Sequence, residues 1–277
     1  MSLKYLNLSG NLISETRGIV FPNGLLSLNL EFNLPFSEKA ARALVLPESL
    51  EHLSLEHNEI GPLGAKGLVL PKNLKTLNFY DCQIGDLGAE YLALPENLIT
   101  LYLKSNQIGN VGIKKIKFPK NLISLNLAAN NISSEVAKEF IPPPNLQVLE
   151  LQYNKIGPKG AMGLKLSGSL LYLNLEGNYI GPSGIQGIAF PNNLQTLKAG
   201  FCRIGNNGTQ HLILPKSLRI LDLTDNGIGP EGISALHFPK TLYELQMSFS
   251  GFNRTIFTRA ISLASWQKIL AFYFTME

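Results

Sequence analysis

One spacing constrains this chain more than any other feature. The string LLYLNLEGNYIG, beginning at Leu170, recurs as LEHLSLEHNEIG from Leu50, LITLYLKSNQIG from Leu98 and LQVLELQYNKIG from Leu146. The residue that follows the frame L-x-x-L-x-L-x-x marks each unit: Asn11, Asn33, Asn58, Cys82, Asn106, Asn130, Asn154, Asn178, Cys202, Asn226 and Ser250. After Asn58 every step is 24 residues, and the first two steps are 22 and 25. Eleven units so short cannot each bury a core alone, so they must stack and share one.

The alternating leucines, such as Leu173 and Leu175, suit a short strand with one buried face, since successive side chains point to opposite sides. The segment after them, IGPSGIQGIAFP in one unit, spaces Ile180, Ile185 and Ile188 as one face of a short helix or 3₁₀ stretch. Proline then stops it, at Pro71, Pro95, Pro119, Pro191, Pro215 and Pro239. Near the N-terminus, Phe36 to Leu44 replaces the glycine-bearing segment. Hydrophobic residues make up 45% of the 277, enough for an ordered core, and the length exceeds most single compact cores, which favours an elongated stack.

This frame resembles the leucine-rich repeat family over about residues 3 to 252. The resemblance implies an α/β solenoid: a horseshoe of about eleven 24-residue repeats with a parallel concave sheet and short convex helices. The expected domains are the repeat solenoid over 1–250 and a capping helix over 251–277, where the dense apolar text leaves the frame. The N-terminus starts inside a repeat, so the first units are expected to fray, lean on a partner or follow an upstream cap. The strand entries LPKNLKTLNF and LPENLITLYL resemble leucine-rich effectors secreted by intracellular bacteria, and NEIGPLGAKGL resembles shortened ribonuclease-inhibitor-type repeats. Some bacterial relatives add a ubiquitin-ligase domain, for which this chain has no room.

The chemistry-bearing residues read as structural in this frame. GFCRIGNNG, residues 200–208, sets Cys202 beside an arginine and glycines, a setting that resembles a reactive thiol near a phosphate loop. Yet Cys82 and Cys202 both occupy the asparagine column, a place the family opens to cysteine, and they lie five repeats apart, far beyond disulfide reach. A buried turn residue is the expectation for both. His52, Glu56 and His57 share a repeat without a convincing third-ligand geometry, so no metal site is assigned. His211 and His237 fall on the convex side. Asn253 opens an N-R-T acceptor pattern with no signal peptide before it. Gly61 and Gly64, Gly157 and Gly160, and Gly181 and Gly184 read as turn and packing residues rather than a nucleotide loop. No catalytic residue and no cofactor is assigned.

Function is expected on the outward strand positions, which the leucines leave free. These carry Glu31, Glu56, Asp81, Glu150, Glu176, Asp222 and Asp225 against Lys104 and Lys198, an acidic face on a chain of net charge +4. Tyr80, Tyr102, Tyr153, Tyr172 and Phe201 stand among them as anchors of the kind that dominate interfaces. The expected partner-binding set is Glu56, Tyr80, Asp81, Tyr102, Lys104, Glu150, Tyr153, Tyr172, Glu176, Lys198, Phe201 and Asp222. The expected function is a non-enzymatic binding module that covers and inhibits a partner protein, one with a basic patch or an exposed active-site mouth, for example an enzyme such as another effector. An adaptor that binds a host protein without inhibiting it is the alternative, and an enzyme is disfavoured. Neither nucleic acid nor a membrane span is expected: no dense Lys/Arg run occurs, and Ile256 to Phe274 is short and interrupted by Arg259, Gln267 and Lys268. Two cysteines and the N-terminal text point to a reducing cytosol, that of a host cell if the chain is a secreted bacterial effector.

Overall fold

Leucines at alternate positions bury one face of every strand, and the computed structural model, which describes residues 3–248, shows those strands as three-residue segments. The expected capping segment lies outside the described residues. The chain forms two compact units, residues 3–132 with 142–149 and residues 133–141 with 150–248. Each has the same coil architecture of strand, turn, short helix and return.

In the first unit β1 (Tyr5–Asn7), β2 (Ser27–Asn29), β3 (His52–Ser54), β4 (Thr76–Asn78), β5 (Thr100–Tyr102) and β6 (Ser124–Asn126) run parallel in sequence order. Their register aligns Leu6, Leu28, Leu53, Leu77, Leu101 and Leu125. The returns carry α1 (Glu38–Ala43), α2 (Gly61–Gly67), α3 (Gly85–Tyr91) and α4 (Asn110–Lys115). The second unit begins in sequence with α5 (Ser134–Ala137), and β7 (Val148–Glu150) falls where the units divide. It continues with α6 (Gly157–Met162), β8 (Tyr172–Asn174), α7 (Gly181–Gly187), β9 (Thr196–Lys198), α8 (Gly205–Thr209), β10 (Ile220–Asp222), α9 (Pro230–Ser234) and β11 (Glu244–Gln246). Leu173, Leu197, Leu221 and Leu245 align across its parallel strands.

Between strands and helices the frame residues fill the core. Leu50, Leu74, Leu98 and Leu122 are fully buried, as are Ile60, Ile84 and Ile108, where the chain turns towards the helix. Each such side chain contributes about 2 kcal/mol of transfer free energy. Successive helices pack so closely that a Cβ at Gly88 in α3 would come within 3.1 Å of the Pro62 backbone and 2.7 Å of Ile84. The glycine is therefore set by helix spacing. The expected departure near the N-terminus is a helix as well: α1 takes the place of a glycine-bearing segment and follows Ser37, which bridges to Glu59.

The marker column ties repeat to repeat. The Asn58 amide donates to the carbonyls of Leu30 (2.9 Å) and Leu55 (2.8 Å), and its oxygen accepts the backbone N–H of Asn33 (2.9 Å). Asn106 donates to Phe79 (2.6 Å) and Lys104 (3.1 Å) and accepts from the N–H groups of Cys82 (3.0 Å) and Ile84 (3.3 Å). Asn226 does the same in the second unit, with Ala199 (2.7 Å), Cys202 (3.0 Å) and Ile204 (3.2 Å). Turn groups that would be buried without partners are thus satisfied by one side chain. Cysteine imitates this in part: Cys82 Sγ donates to the Leu55 carbonyl (3.1 Å) and takes the Asn58 N–H.

Removing one rung should be costly. Asn106→Ala should lower unfolding free energy by about 3 kcal/mol, because several buried backbone groups lose their partner at once. Asn106→Cys, which keeps a donor and a weak acceptor, should cost clearly less. Urea denaturation of the two variants against the parent checks this ordering, and equal losses would contradict it.

Candidate functional site

The outward residues of the first unit are built on a turn that bends back sharply after each strand. There the backbone is left-handed: Phe32 (φ 54°), His57 (53°), Asp81 (53°), Ser105 (57°) and Ala129 (50°). Such a conformation costs an L-residue roughly 1–2 kcal/mol relative to glycine. Gly10 (φ 66°) and, in the second unit, Gly177 (φ 68°) occupy the same column at no such cost. The second unit also places Tyr153 (φ 57°), Phe201 (53°) and Asp225 (51°) there. Large exposed rings at strained positions form a ridge beside the outer sheet face.

The first unit brings together five predicted residues with two that sequence reasoning did not assign. The Phe32 and His57 rings stack with centroids 4.5 Å apart at 27°, and His57 meets Tyr80 at 4.7 Å and 57°. The Lys104 ammonium sits 4.8 Å from the centre of Tyr80. Carboxylates flank the imidazole: Asp81 lies 3.0 Å from Nδ1 and Glu56 3.4 Å from Nε2. Glu56 also accepts from the Asn78 amide (2.7 Å), and Glu31 accepts from the Ser54 hydroxyl (2.6 Å). Tyr102 is half-buried on β5, beside Asn78 and Asn126 in register. Phe32 and His57 stand at equivalent places in consecutive repeats, but Tyr80, which His57 meets, stands one frame position earlier, with Asp81 at the equivalent place, so periodicity does not join the three rings.

The second unit holds the other predicted residues in a looser group. The Tyr153 hydroxyl donates to the Glu176 carboxylate, and this bond, together with burial and the negative charge, pushes the phenol pKa up. A Cβ at Gly177 would strike the Tyr153 ring at 2.6 Å, so glycine there leaves room for the ring to lean across the next repeat. Burial also pushes the Tyr172 phenol up; Lys198 opposes this and Glu150 adds to it. Glu150 accepts from the Gln152 amide (2.8 Å), and the buried Gln152 Oε1 has no hydrogen-bond partner. Phe201 is 47% exposed. Beyond it, Arg203 stacks on Tyr179 at 4.3 Å.

Asp222 differs from the rest of the set. It is 8% exposed, and its Oδ1 accepts from the N–H (2.9 Å) and hydroxyl (2.7 Å) of Thr224. Asn29, Asn78, Asn126 and Asn174 accept from the backbone N–H two residues on in the same way. This column, read from sequence as a free outward position, shapes the strand exit through local side-chain to backbone bonds.

The thiols are buried and chemically quiet. Burial pushes the Cys82 pKa up to about 12 and that of Cys202 up to about 11. A thiolate, the reactive form, is thus suppressed at neutral pH. His52, His211 and His237 are exposed, and His237 Nδ1 lies 3.1 Å from the Ala235 carbonyl. Among the described residues no group of three or more His, Cys, Asp or Glu side chains converges on a metal-sized site. Among the same residues no helix is long and apolar enough to cross a membrane.

A pH dependence follows from the thiols. Their folded pKa values lie above the ordinary thiol value of about 9, so the stability they contribute is complete below about pH 9 and is lost as pH rises towards 11 and 12. Urea midpoints of the parent should therefore fall between pH 8 and 10.5 by more than those of a Cys82→Asn, Cys202→Asn double variant. Parallel curves would contradict the assignment.

Comparison with known proteins agrees with this geometry. Three family models, each described as a leucine-rich repeat, match residues 96–156, then 47–69, 71–93, 169–189 and 215–236, and finally 2–23. No curated protein sequence matches. Among solved structures, YopM from Yersinia enterocolitica WA-314 is similar at 21% identity and a TM-score of 0.55, over 89% of this chain and 60% of that one. The mouse RP105/MD-1 complex is similar at 20% identity and a TM-score of 0.57, over 89% of this chain and 42% of that one. The chain thus spans about three fifths of the YopM chain and a smaller share of the other.

Proposed function

Because the chain belongs to the leucine-rich repeat family, whose fold is a protein-interaction module, we propose that it works as a non-enzymatic binding protein. Its partner docks on the outer sheet face and the adjoining turn ridge. One observation carries this reading: large rings stand exposed there at left-handed positions where glycine would be more stable, ringed by carboxylates. Strained residues that the fold itself does not require are retained for what they display. Tyr153 and Phe201 are such rings in the second unit and Phe32 in the first, where Tyr80 and Tyr102, half-buried beside the outer sheet face, add further anchors. Glu56, Asp81, Glu150 and Glu176 favour a partner with a basic patch, while Lys104 and Lys198 set local register.

The finer reading, an inhibitory effector of bacterial origin that masks a partner's active-site mouth, belongs to the same proposal. The fold likeness to YopM supports the architecture of such a protein. Exposed rings set among carboxylates suit adhesion to a partner's surface, which supports masking.

Capture from a cell lysate, with the purified chain as bait, tests the proposal. The parent should retain a protein whose binding weakens as salt rises from 50 to 500 mM, given about 10 Å screening at 0.1 M. Tyr102→Ala or Tyr153→Ala should each cost about 2 kcal/mol, roughly thirtyfold in Kd, with unfolding curves unchanged. Retention of nucleic acid alone, or unaltered binding by both variants, would overturn it.

A further inference from the structure

The helices of the first unit turn aliphatic side chains towards solvent. Leu63 in α2 and Leu87 in α3 are each 47% exposed, and Val111 in α4 is 56% exposed. They stand two residues after Gly61, Gly85 and Gly109 and so form one column across three consecutive repeats. In the second unit the same position carries Lys159, Ser183, Asn207 and Glu231. The fold therefore does not require the aliphatic column, and apolar groups aligned over three repeats differ from the single ones scattered on any surface. Val69, on the return after α2, adds a fourth and is 78% exposed.

Positive charge frames the column. Arg42, Lys66, Lys114, Lys115 and Lys117 are exposed on the same helices and returns. The acids of these helices are engaged locally: Glu38 accepts the Leu63 N–H (3.1 Å), Asp86 accepts those of Gly109 (2.6 Å) and Gly112 (2.9 Å), and Glu90 pairs with Lys115 (3.4 Å). The Arg42 stem lies across the Gly67 position, and the Lys66 ammonium sits 4.1 Å from the centre of the Tyr91 ring. Both side chains run along the helical surface and carry their charge at its outside.

We propose that this helical face of the first unit docks on an anionic lipid bilayer. Its charge is opposite to that of the outer sheet face, where Glu31, Glu56 and Asp81 stand against Lys104. Leu63, Leu87, Val111 and Val69 enter the boundary between headgroups and acyl chains, while the arginine and lysines stay at the level of the lipid phosphates. A fluid bilayer supplies both complements at once, whereas a folded protein needs acids and an apolar patch in the same register. A bare polyanion would meet the cations and leave the aliphatic column in water. The surface is distinct from the partner-binding one, so docking by the helices leaves the outer sheet face clear for a protein.

Co-sedimentation of the full chain with vesicles tests this, using phosphatidylcholine alone and phosphatidylcholine with about 30% phosphatidylserine. At about 0.1 M salt the chain should partition onto the anionic vesicles at least about twentyfold more strongly, and about 0.5 M salt should remove most of the difference. Lys66→Gln with Lys117→Gln should lower that partitioning about twentyfold, at roughly fivefold per cation near the surface. Lys216→Gln with Lys240→Gln, the same charge change in the second unit, should leave it within about twofold. Leu87→Ser with Val111→Ser should lower it about tenfold. All six positions are exposed, so the variants should unfold as the parent does, and the lysine pairs read the site without touching an apolar residue. No preference for the anionic vesicles, equal losses from the two lysine pairs, or undiminished partitioning of the Leu87→Ser, Val111→Ser variant would overturn the proposal. An acidic protein captured through this face, without vesicle binding, would also overturn it. None of these results bears on the outer sheet face, whose test is the capture described above.

Discussion

The asparagine rung is the interaction on which everything else in each unit depends. A three-residue strand cannot hold register by its own hydrogen bonds, and the sharp turn after it leaves carbonyls and N–H groups facing the interior. One amide per repeat answers both problems, because Asn58 and Asn106 bind their own turn and the repeat before it. The leucines supply the larger share of the burial free energy, but they are interchangeable apolar volume. The rung fixes where each repeat sits against the next. That is why Cys82 and Cys202 can replace asparagine only by offering sulfur as both donor and acceptor, and why the thiols are chemically spent there.

A fixed turn produces the surface. With each strand exit locked, the residue after it is forced into left-handed backbone, and its side chain projects beside the outer sheet face. Where glycine stands, at Gly10 and Gly177, the ridge has gaps. At Phe32, His57, Tyr153 and Phe201 it carries rings. The gaps and the rings are complementary: Tyr153 leans across Gly177, and Phe32 keeps an open face above Gly10. The column keeps its left-handed backbone in ten described repeats whatever residue it carries. Under the proposed binding function, variation there changes what is bound without changing how the chain folds.

Much of this is legible in the sequence, and the reasons for the rest are physical. The period, the leucine face, the short helix and the buried place of Cys202 follow from the repeat frame, since each is a repeated response to the same burial problem; the prolines expected to stop each helix instead stand four to six residues beyond its end, in the turn that enters the next strand. Tyr80 and Tyr102, the proposed anchors, are visible because they interrupt a regular frame. Asp222 read as an outward acid because a bond to its own backbone, two residues on, leaves no trace in periodicity. The Phe32–His57–Tyr80 stack is hidden for a related reason: Phe32 and His57 share a frame position, but Tyr80 stands one position before the equivalent Asp81, and only the turn geometry brings its ring to His57. His57, grouped in sequence with His52 and Glu56, is defined instead by Phe32, Tyr80 and Asp81.

Side-chain footprinting of the chain in complex with a captured partner tests the central claim most directly. Radical labelling reads Tyr80, Tyr102, Tyr153 and Phe201 on the ridge and sheet face, and reads Tyr91, Val69 and Ile213 on the helical side and its returns, all exposed or half-exposed in the free chain. The account predicts that the first group loses reactivity on binding while the second keeps it. Protection confined to Tyr91, Val69 or the Ile213 region, with the ridge as reactive as in the free chain, would contradict it.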